Sequence, residues 1–260
     1  MTVRLPAVAG VFYPDDARQL QAAVRRYLPA SSAAGPPPKA LIAPHAGYQY
    51  SGPVAGSAYA LLAGAGGIIT RVVLAGPSHR VAFRGVAVPS ASHFSTPLGD
   101  VPIDLDALAR IRRLPQVTVL DSAHAREHSL EVHLPFLQVA LGRFTLVPLV
   151  VGEASAEEVG RVLDELWGGP DTLIVVSSDL SHYHEYATAR RMDAETSAAI
   201  EALRGDAIGD SDACGCVPVR GLLWVAGRRR LTARTLDLRN SGDTGGPRDH
   251  VVGYGAYAVG

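Results

Sequence analysis

Short apolar runs alternate with amphipathic stretches along most of the chain. Continuous apolar runs are typical of strands buried on both faces. They occur at 40–43, 71–75, 85–88, 144–151, 172–177, 232–238 and 252–259. Stretches with apolar residues at helical spacing occur at 16–28, 53–62, 105–113, 129–141, 156–166, 186–202 and 218–226. This alternation predicts one α/β domain over residues 1–260, with a central, mostly parallel or mixed sheet flanked by helices.

Two local features modify this picture. The segment 83–96 resembles a hairpin, so we expect the sheet to contain antiparallel pairs. Pro53 is expected in the first turn of its helix, where a missing N–H costs nothing. The stretch 30–38 is rich in Ser, Ala, Gly and Pro, but it is too short to separate two domains.

Composition excludes several classes of partner. Of the 260 residues 47% are hydrophobic and 19% are charged, which is typical of a globular protein. The net charge is −1, without a basic cluster, so we expect neither a nucleic-acid nor a membrane partner. The N-terminus lacks a basic start followed by an apolar stretch. We therefore predict a cytoplasmic protein.

The two cysteines, Cys214 and Cys216, form a Cys-Gly-Cys run. A disulfide across a single intervening residue would be strained. In a reducing compartment, neighbouring thiols suggest metal or redox chemistry. The alternative is that both thiols are small buried apolar side chains.

Three predicted strands end in similar sequences. His45 follows the strand at 40–43, His79 follows the strand at 71–75, and Asp179 and His182 follow the strand at 172–177. If these strands are parallel neighbours, all four side chains emerge at one edge of the sheet, where ligands of α/β proteins bind. A single strand-end histidine is usually an ordinary hydrogen-bonded loop residue. Three together favour a metal site.

We predict that His45, His79 and Cys214 hold one metal ion. Neutral imidazole and thiolate suit iron, zinc or copper, and three protein ligands leave open positions for chemistry. Cys214 precedes a helix predicted to begin near residue 218, whose positive end would favour the thiolate. Asp179 and His182 are candidate catalytic residues, with His182 transferring a proton and Asp179 orienting it.

A second polar cluster occupies residues 127–133. On a helix, His128 and Glu131 would share a face, so both are candidate pocket residues. The spacing does not match the His-Glu-x-x-His motif of zinc proteases. The alternative is that this cluster is simply the polar first turn of a helix. No phosphate-binding loop, dinucleotide fingerprint or nucleophile elbow occurs in the sequence.

Taken together, eight short motifs resemble those of the Memo family, also called protein B of the AmmeMemoRadiSam system. They occur in order and span most of the chain, which makes the resemblance stronger than any single motif. They are AGVFYP at 9–14, PHAGY at 44–48 with YSG at 50–52, GPSH at 76–79, EHSLE at 127–131, SDLSHY at 178–183, CG at 214–215, NSGD at 240–243 and VGY at 252–254.

This resemblance implies a fold like that of the LigB-like class III extradiol dioxygenases, which have a non-haem iron site. It implies iron on His45, His79 and Cys214, with Asp179 and His182 beside the metal, and with cysteine in place of the dioxygenases' carboxylate. Some family members have Arg-His-Pro where this chain has Cys216-Val217-Pro218. Cys216 is thus a candidate additional ligand or redox partner of Cys214.

Three functions are compatible with these residues. The first is an iron-dependent, dioxygenase-like oxidoreductase that activates O2 and acts on an unknown small molecule or peptide. The second is a non-catalytic metal-binding accessory protein. The family's bacterial name implies radical-SAM and AMMECR1-type proteins as partners in either case. The third is a hydrolytic zinc enzyme.

Overall fold

The computed structural model describes residues 2–28 and 35–260, so residues 30–34 of the predicted connecting stretch lie outside it. The strands are β1 (Val3–Arg4), β2 (Ala40–Ala43), β3 (Arg71–Pro77), β4 (Val86–Val88), β5 (His93–Thr96), β6 (Gly99–Pro102), β7 (Val117–Val119), β8 (Thr145–Val151), β9 (Thr172–Ser177), β10 (His182–His184), β11 (Ala233–Asn240) and β12 (Val251–Val259). The helices are α1 (Ala17–Tyr27), α2 (Tyr48–Tyr59), α3 (Leu105–Ile111), α4 (Asp121–Ala125), α5 (Leu134–Leu141), α6 (Ala156–Glu165), α7 (Tyr186–Glu201), α8 (Cys216–Arg228) and α9 (Ser241–Thr244). Short 3-10 turns occur at Ala60–Leu62, Glu131–His133 and Gly205–Ala207.

A large mixed sheet forms the centre of the molecule. Among the described residues it contains nine strands in the order β10-β12-β2-β9-β3-β8-β4-β7, with β11 also paired to β12. The four central strands, β2, β9, β3 and β8, are parallel neighbours. β4 is antiparallel to β8, and β12 is antiparallel to β2. The predicted α/β class with a mixed sheet is confirmed.

The central strands are buried because helices flank the sheet. Every residue of β2 and β9 is buried, as expected for continuous apolar runs between two covered faces. α2 packs against β2 and β12 and is itself covered by α1 and α5. α8 packs against β3 and β9 and pairs with α6. Within the described residues, no helix has the length and apolar character to cross a bilayer.

The structure corrects two of the local predictions. α2 begins at Tyr48, so Pro53 lies inside the helix rather than in its first turn. The start is fixed from outside the helix, because the Tyr48 N–H donates to the Phe12 carbonyl and its hydroxyl donates to the Val132 carbonyl. The segment 83–96 is not a hairpin. β4 joins the large sheet, whereas β5 joins a separate small sheet with β1 and β6.

A buried ionic network attaches the N-terminal segment to the rest of the molecule. Glu131 is completely buried and pairs with the Arg4 guanidinium. Its two carboxylate oxygens also accept hydrogen bonds from the backbone N–H groups of Ala7 and Val8 and from the Tyr13 hydroxyl, at 2.6–3.0 Å. Arg4 in turn donates from Nε to the His124 carbonyl. A single carboxylate therefore organises a segment more than one hundred residues away in sequence.

Burial of His124 predicts a loss of stability in acid. Its Nε2–H donates to the Ala87 carbonyl, and burial, with Arg4 nearby, lowers its pKa from 6.5 to about 4 despite Asp121 and Glu127. Between these two values the unfolded chain binds a proton that the folded chain does not. We expect this group to reduce the free energy of unfolding by on the order of 2–3 kcal/mol as the pH falls from about 7 to about 4.5.

Urea unfolding of wild type and His124→Gln at both pH values measures this contribution. The variant should lose less stability on acidification, because glutamine does not titrate. The control is His250→Gln, at an exposed histidine. This variant should lose as much free energy of unfolding between the two pH values as wild type. Equal losses in His124→Gln and wild type would contradict the prediction.

Candidate metal centre

The carboxyl ends of three adjacent parallel strands bring the predicted strand-end residues together. β9 lies between β2 and β3. His45, Asp179 and His79 each follow the end of one of these strands by two residues. Because the three strands run in the same direction, the three side chains meet at one edge of the sheet. The expectation that these strands are parallel neighbours is confirmed.

Three imidazoles form a compact cluster at this edge. One ring nitrogen of each of His45, His79 and His128 lies within 4.8 Å of the other two. The rings of His79 and His128 are stacked, with centroids 4.7 Å apart, and the His45 ring stands edge-on to both at 5.1 and 5.5 Å. Three imidazole nitrogens this close together form a candidate site for one cation.

Cys214 lies beside His45. Its Sγ is 3.3 Å from His45 Nε2 and is not a member of the three-nitrogen cluster. Two ligands on one tetrahedral ion, at about 2.1 Å for nitrogen and 2.3 Å for sulfur, would be about 3.6 Å apart. The observed separation is close to that value. His45 is thus the common neighbour of the histidine cluster and the thiol.

Different groups hold the two strand-end histidines. The Nδ1 atom of His79 lies 2.9 Å from Glu127 Oε1, and its backbone N–H donates to Glu127 Oε2 at 2.6 Å. Because a carboxylate accepts, Nδ1 of His79 carries a proton, and in the neutral ring the lone pair is on Nε2. The backbone N–H of His45 donates to Asp179 Oδ1 at 2.7 Å, and its Nδ1 lies 2.6 Å from the Ser177 hydroxyl.

The electrostatics of the cluster favour neutral imidazoles. Burial, together with the neighbouring histidines, lowers the pKa of His45 well below its usual range. Burial lowers the pKa of His128 to about 4, although Glu127 opposes the shift. Burial alone would raise the pKa of Glu127, but its hydrogen bonds and charge interaction with His79 bring that pKa to about 2. Neutral rings at His45 and His128, close to the ionised carboxylate of Glu127, resemble the surroundings of metal-binding histidines.

The pKa values of the Cys214 thiol and of the nearby Asp179 carboxyl are raised, whereas those of His45 and His128 are lowered. Burial, reinforced by the Asp179 carboxylate, raises the pKa of Cys214 well above its usual range. α8 begins at Cys216, two residues beyond Cys214, so the predicted effect of its positive end is outweighed by burial. Burial also raises the pKa of Asp179 to about 6. Both groups are held in surroundings that disfavour their charged forms.

His182 is present at the site, but Asp179 does not orient it. His182 Nδ1 donates instead to the Leu180 carbonyl at 2.7 Å, which leaves Nε2 available. The Asp179 carboxylate accepts from the backbone N–H of His45, and its second oxygen lies 4.0 Å from His45 Nε2. The backbone next to His182 is irregular: Tyr183 has a positive φ of 61°. The Tyr183 side chain is exposed.

These side chains line a cavity of about 690 Å³. It opens where β2, β3 and β9 end. The ionisable groups in its wall are His45, His79, Arg80, His128, Asp179, His182, Tyr183, His184, Asp210 and Cys214. Phe12 from the N-terminal segment also contributes to the wall and packs on His128, with ring centroids 4.9 Å apart. The cavity is large enough for a small organic substrate.

The structure separates the three candidate pocket residues. His128 lines the cavity and joins the histidine cluster. Glu131 is in the buried network with Arg4 and is not among the residues lining this cavity. Cys216 lines a neighbouring cavity of about 560 Å³, and its Sγ donates to Asp210 Oδ1 at 2.9 Å. Cys214 and Asp210 border both cavities.

His128 and Glu131 do not share a helical face, because the segment before α5 is not a regular helix. Residues Glu131–His133 form a 3-10 turn, and α5 starts at Leu134 with a proline in its first turn. The backbone N–H groups of His128 and Ser129 donate to Glu127 Oε1, which holds the chain in a tight loop. His128 consequently faces the cavity while Glu131 faces the N-terminal segment.

Sequence reasoning did not identify the groups that support the histidines. The sequence pattern assigns no role to Ser177 or His133, and it indicates Glu127 only as a helix cap or pocket residue, although all three are buried. A role for Glu127 in supporting a histidine could have been inferred from its position beside His128, in a motif that also contains Glu131. For Ser177 the signal was a hydroxyl at the last position of an otherwise apolar strand.

Comparison with known proteins agrees with the sequence motifs. The family model described as "Memo-like protein" matches residues 4–258. A MEMO1 family protein of Aquifex aeolicus is 37% identical, covering 98% of each chain. MEMO1 family proteins of Ignicoccus hospitalis, at 36% identity and 98% coverage of each chain, and Methanosarcina mazei, at 34% and 100%, are similarly related.

One solved structure also resembles this chain. It is the crystal structure of the uncharacterized protein JW3007 from Escherichia coli K12, with a TM-score of 0.47 and 15% sequence identity. The overlap covers 84% of this chain and 98% of that one. The family assignment depends instead on the family model, which spans nearly all of the chain, and on relatives that match along almost their full length. On that basis the chain belongs to the Memo family.

Proposed function

We propose that this protein binds one Fe²⁺ ion through His45, His79 and Cys214 and uses it to activate O2 in the oxidation of a small molecule or peptide. The observation that carries the proposal is the convergence of two imidazoles and a thiol on one cavity, with His45 Nε2 only 3.3 Å from Cys214 Sγ. Family membership supports a role alongside radical-SAM and AMMECR1-type proteins.

The donor atoms fit a bound cation. His79 presents Nε2 because Glu127 accepts its other nitrogen's proton, and a carboxylate behind a ligating histidine strengthens binding. A ring nitrogen of His128 lies within 4.8 Å of those of His45 and His79, so a further nitrogen donor lies beside the set. Metal binding would displace the proton from the Cys214 thiol, which burial otherwise retains.

The choice of metal follows from chemistry and family resemblance together. Imidazole and thiolate also suit zinc and copper. Iron is preferred because the Memo family resembles, in fold, the LigB-like dioxygenases, which have a non-haem iron site. Bound there, Fe²⁺ would supply one-electron chemistry and open coordination positions.

Three further features of the site support an enzymatic role. His182 lines the same cavity and keeps Nε2 free of hydrogen bonds to the protein, so it is placed to exchange a proton with a substrate. The cavity of about 690 Å³ provides room for a substrate beside the ligands. Arg80 in the cavity wall supplies a fixed positive charge that would attract an anionic group.

Metal analysis followed by oxygen uptake tests this proposal. Protein purified without chelators or a nickel column should contain iron equimolar with the chain. After anaerobic loading with Fe²⁺, it should consume O2 with at least one member of a panel of catechols and thiols. His182→Gln should retain its iron but lose about 10²- to 10⁴-fold in rate, as expected for removal of an acid–base group. His93→Ala, altered in the small sheet, should match wild type.

The possible outcomes separate the three functions. Stoichiometric zinc with hydrolytic activity would support the zinc enzyme instead. Stoichiometric iron without uptake above that of free Fe²⁺ over the whole panel would contradict the oxidoreductase and favour the accessory role. Co-purification with a radical-SAM partner, dependent on Cys214 and independent of His182, would further support that role.

A further inference from the structure

A buried chain of polar groups extends from His45 into the core. The Ser177 hydroxyl, which is completely buried, lies 2.6 Å from His45 Nδ1, 2.8 Å from His133 Nε2 and 2.6 Å from the Ser129 carbonyl oxygen. His133 Nδ1 lies 2.8 Å from the Tyr59 hydroxyl. None of Ser177, His133 and Tyr59 lines the cavity of the candidate metal centre.

The positions of the protons in this chain follow from donor and acceptor counting. A hydroxyl has one proton to donate and two lone pairs to accept with, whereas a carbonyl can only accept. At 2.6 Å the Ser129 carbonyl must receive the Ser177 proton. Ser177 Oγ is then an acceptor for both imidazoles. The protons therefore lie on Nδ1 of His45 and on Nε2 of His133.

The contact between His133 and Tyr59, at the other end of this series of hydrogen bonds, is consistent with this assignment. A neutral His133 with its proton on Nε2 has a lone pair on Nδ1, which accepts the hydrogen of the Tyr59 hydroxyl. Burial favours the neutral forms of both groups, since it lowers the pKa of His133 to about 3 and raises that of Tyr59 well above its usual range. Every polar atom in the chain then has a partner, without a net charge in the core.

We propose that Ser177 is a positioning residue that, with His133 and Tyr59 behind it, holds His45 in the tautomer whose Nε2 lone pair faces the cavity. A free imidazole can carry its proton on either nitrogen, and only the unprotonated nitrogen can bind a cation. Nε2 of His45 is the atom beside Cys214 Sγ. The consequence for metal affinity rests on the proposed function, because the tautomer affects affinity only if His45 is a ligand.

The two strand-end histidines are thereby fixed by chemically different groups. His79, the more exposed, is held by the ionised Glu127. His45, which is 2% exposed, is held by an uncharged hydroxyl. A carboxylate behind His45 would add a charge that the surrounding core could not solvate. Ser177 supplies the same orientation at a lower desolvation cost.

Nitrogen NMR of the metal-free protein tests the assignment directly. In ¹⁵N-histidine-labelled wild type, long-range ¹H–¹⁵N spectra distinguish protonated from unprotonated ring nitrogens. The His45 signals are identified by their absence from His45→Gln. We expect a proton on Nδ1 of His45 and on Nε2 of His133. A His45 proton found on Nε2 would overturn the proposal, whether or not the protein binds metal.

Substitution of Ser177 tests the consequence. Ser177→Ala should give His45 a mixture of tautomers and weaken Co²⁺ binding by about 10- to 100-fold in a chelator competition. The control is Ser197→Ala, which removes a buried hydroxyl bonded to Tyr257 and should leave Co²⁺ affinity unchanged. A folded Ser177→Ala protein with wild-type tautomer and affinity would contradict the proposal. If this variant does not fold, the wild-type spectrum still decides.

These measurements also separate this inference from the proposed function. Absence of metal binding in wild type would refute the metal centre, while the metal-free spectrum would still report the His45 tautomer. Full affinity in Ser177→Ala would refute the positioning role, while leaving His45, His79 and Cys214 as ligands.

Discussion

Replacing His45 or His79 by alanine, or Cys214 by serine, is expected to abolish stoichiometric metal binding. Each change removes one donor atom from the proposed site, in which His45 lies beside both the Cys214 thiol and the His79 ring. Because loss of a group that only supports a ligand already costs about 10- to 100-fold in affinity, loss of a ligand should cost about 100-fold or more. Metal content after gel filtration, with Co²⁺ titrations for residual affinity, measures the effect.

Two control variants make this experiment specific. Cys216→Ser changes the neighbouring thiol, which faces another cavity and donates to Asp210, and it should retain the metal. His128→Ala tests the third imidazole of the cluster. If His128→Ala lost the metal while Cys214→Ser kept it, the site would contain three histidines, and the proposed role of Cys214 would be wrong.

Replacing Glu131 by alanine is expected to destabilise the fold by about 3–5 kcal/mol, as when one partner of a buried ion pair is removed. The guanidinium of Arg4 would be left buried without its counter-charge. The backbone N–H groups of Ala7 and Val8 would also lose their acceptor. Urea unfolding of the metal-free protein measures the change.

The size of this effect depends on burial, which a matched pair of variants can show. Glu157 also pairs with an arginine, Arg161, but both side chains are more than half exposed. Glu157→Ala should therefore change the free energy of unfolding by less than about 1 kcal/mol. A Glu131→Ala protein as stable as Glu157→Ala would show that the Arg4–Glu131 pair contributes little. Glu131→Gln, which keeps one acceptor oxygen, should fall between the two.

Local patterns were sufficient to predict the four central strands of the large sheet, although not its short outer strands β7 and β10. The strands at 40–43 and 172–177 have the predicted bounds, because uninterrupted apolar runs have few alternatives in a protein with a covered sheet. Elements fixed by distant contacts were less predictable. β5 pairs with β1, about ninety residues earlier, and nothing within 83–96 indicates that partner.

Part of the candidate site was also predictable. His45, His79 and Asp179 converge because they follow parallel strands, a relation that the sequence pattern contains. The roles within the site were less accessible. The orientation of His128 depends on a loop held by Glu127, and that of His182 depends on the Leu180 carbonyl. Such contacts depend on the path of the backbone, which residue spacing does not specify.

The closeness of Cys214 to His45 has a consequence for residue 215. A Cβ atom at Gly215 would lie 2.4 Å from the Ser177 carbonyl oxygen and 2.6 Å from the Ser178 Cβ, well inside contact distance. A larger residue at 215 would fit only if the loop that contains it moved away from the end of β9. The Cys214 Sγ atom would then move away from His45 as well. The position of the Cys214 thiol therefore depends on a glycine at 215. Transfer of this thiol to another protein would require both residues, together with a strand end that leaves room for the close approach of Gly215.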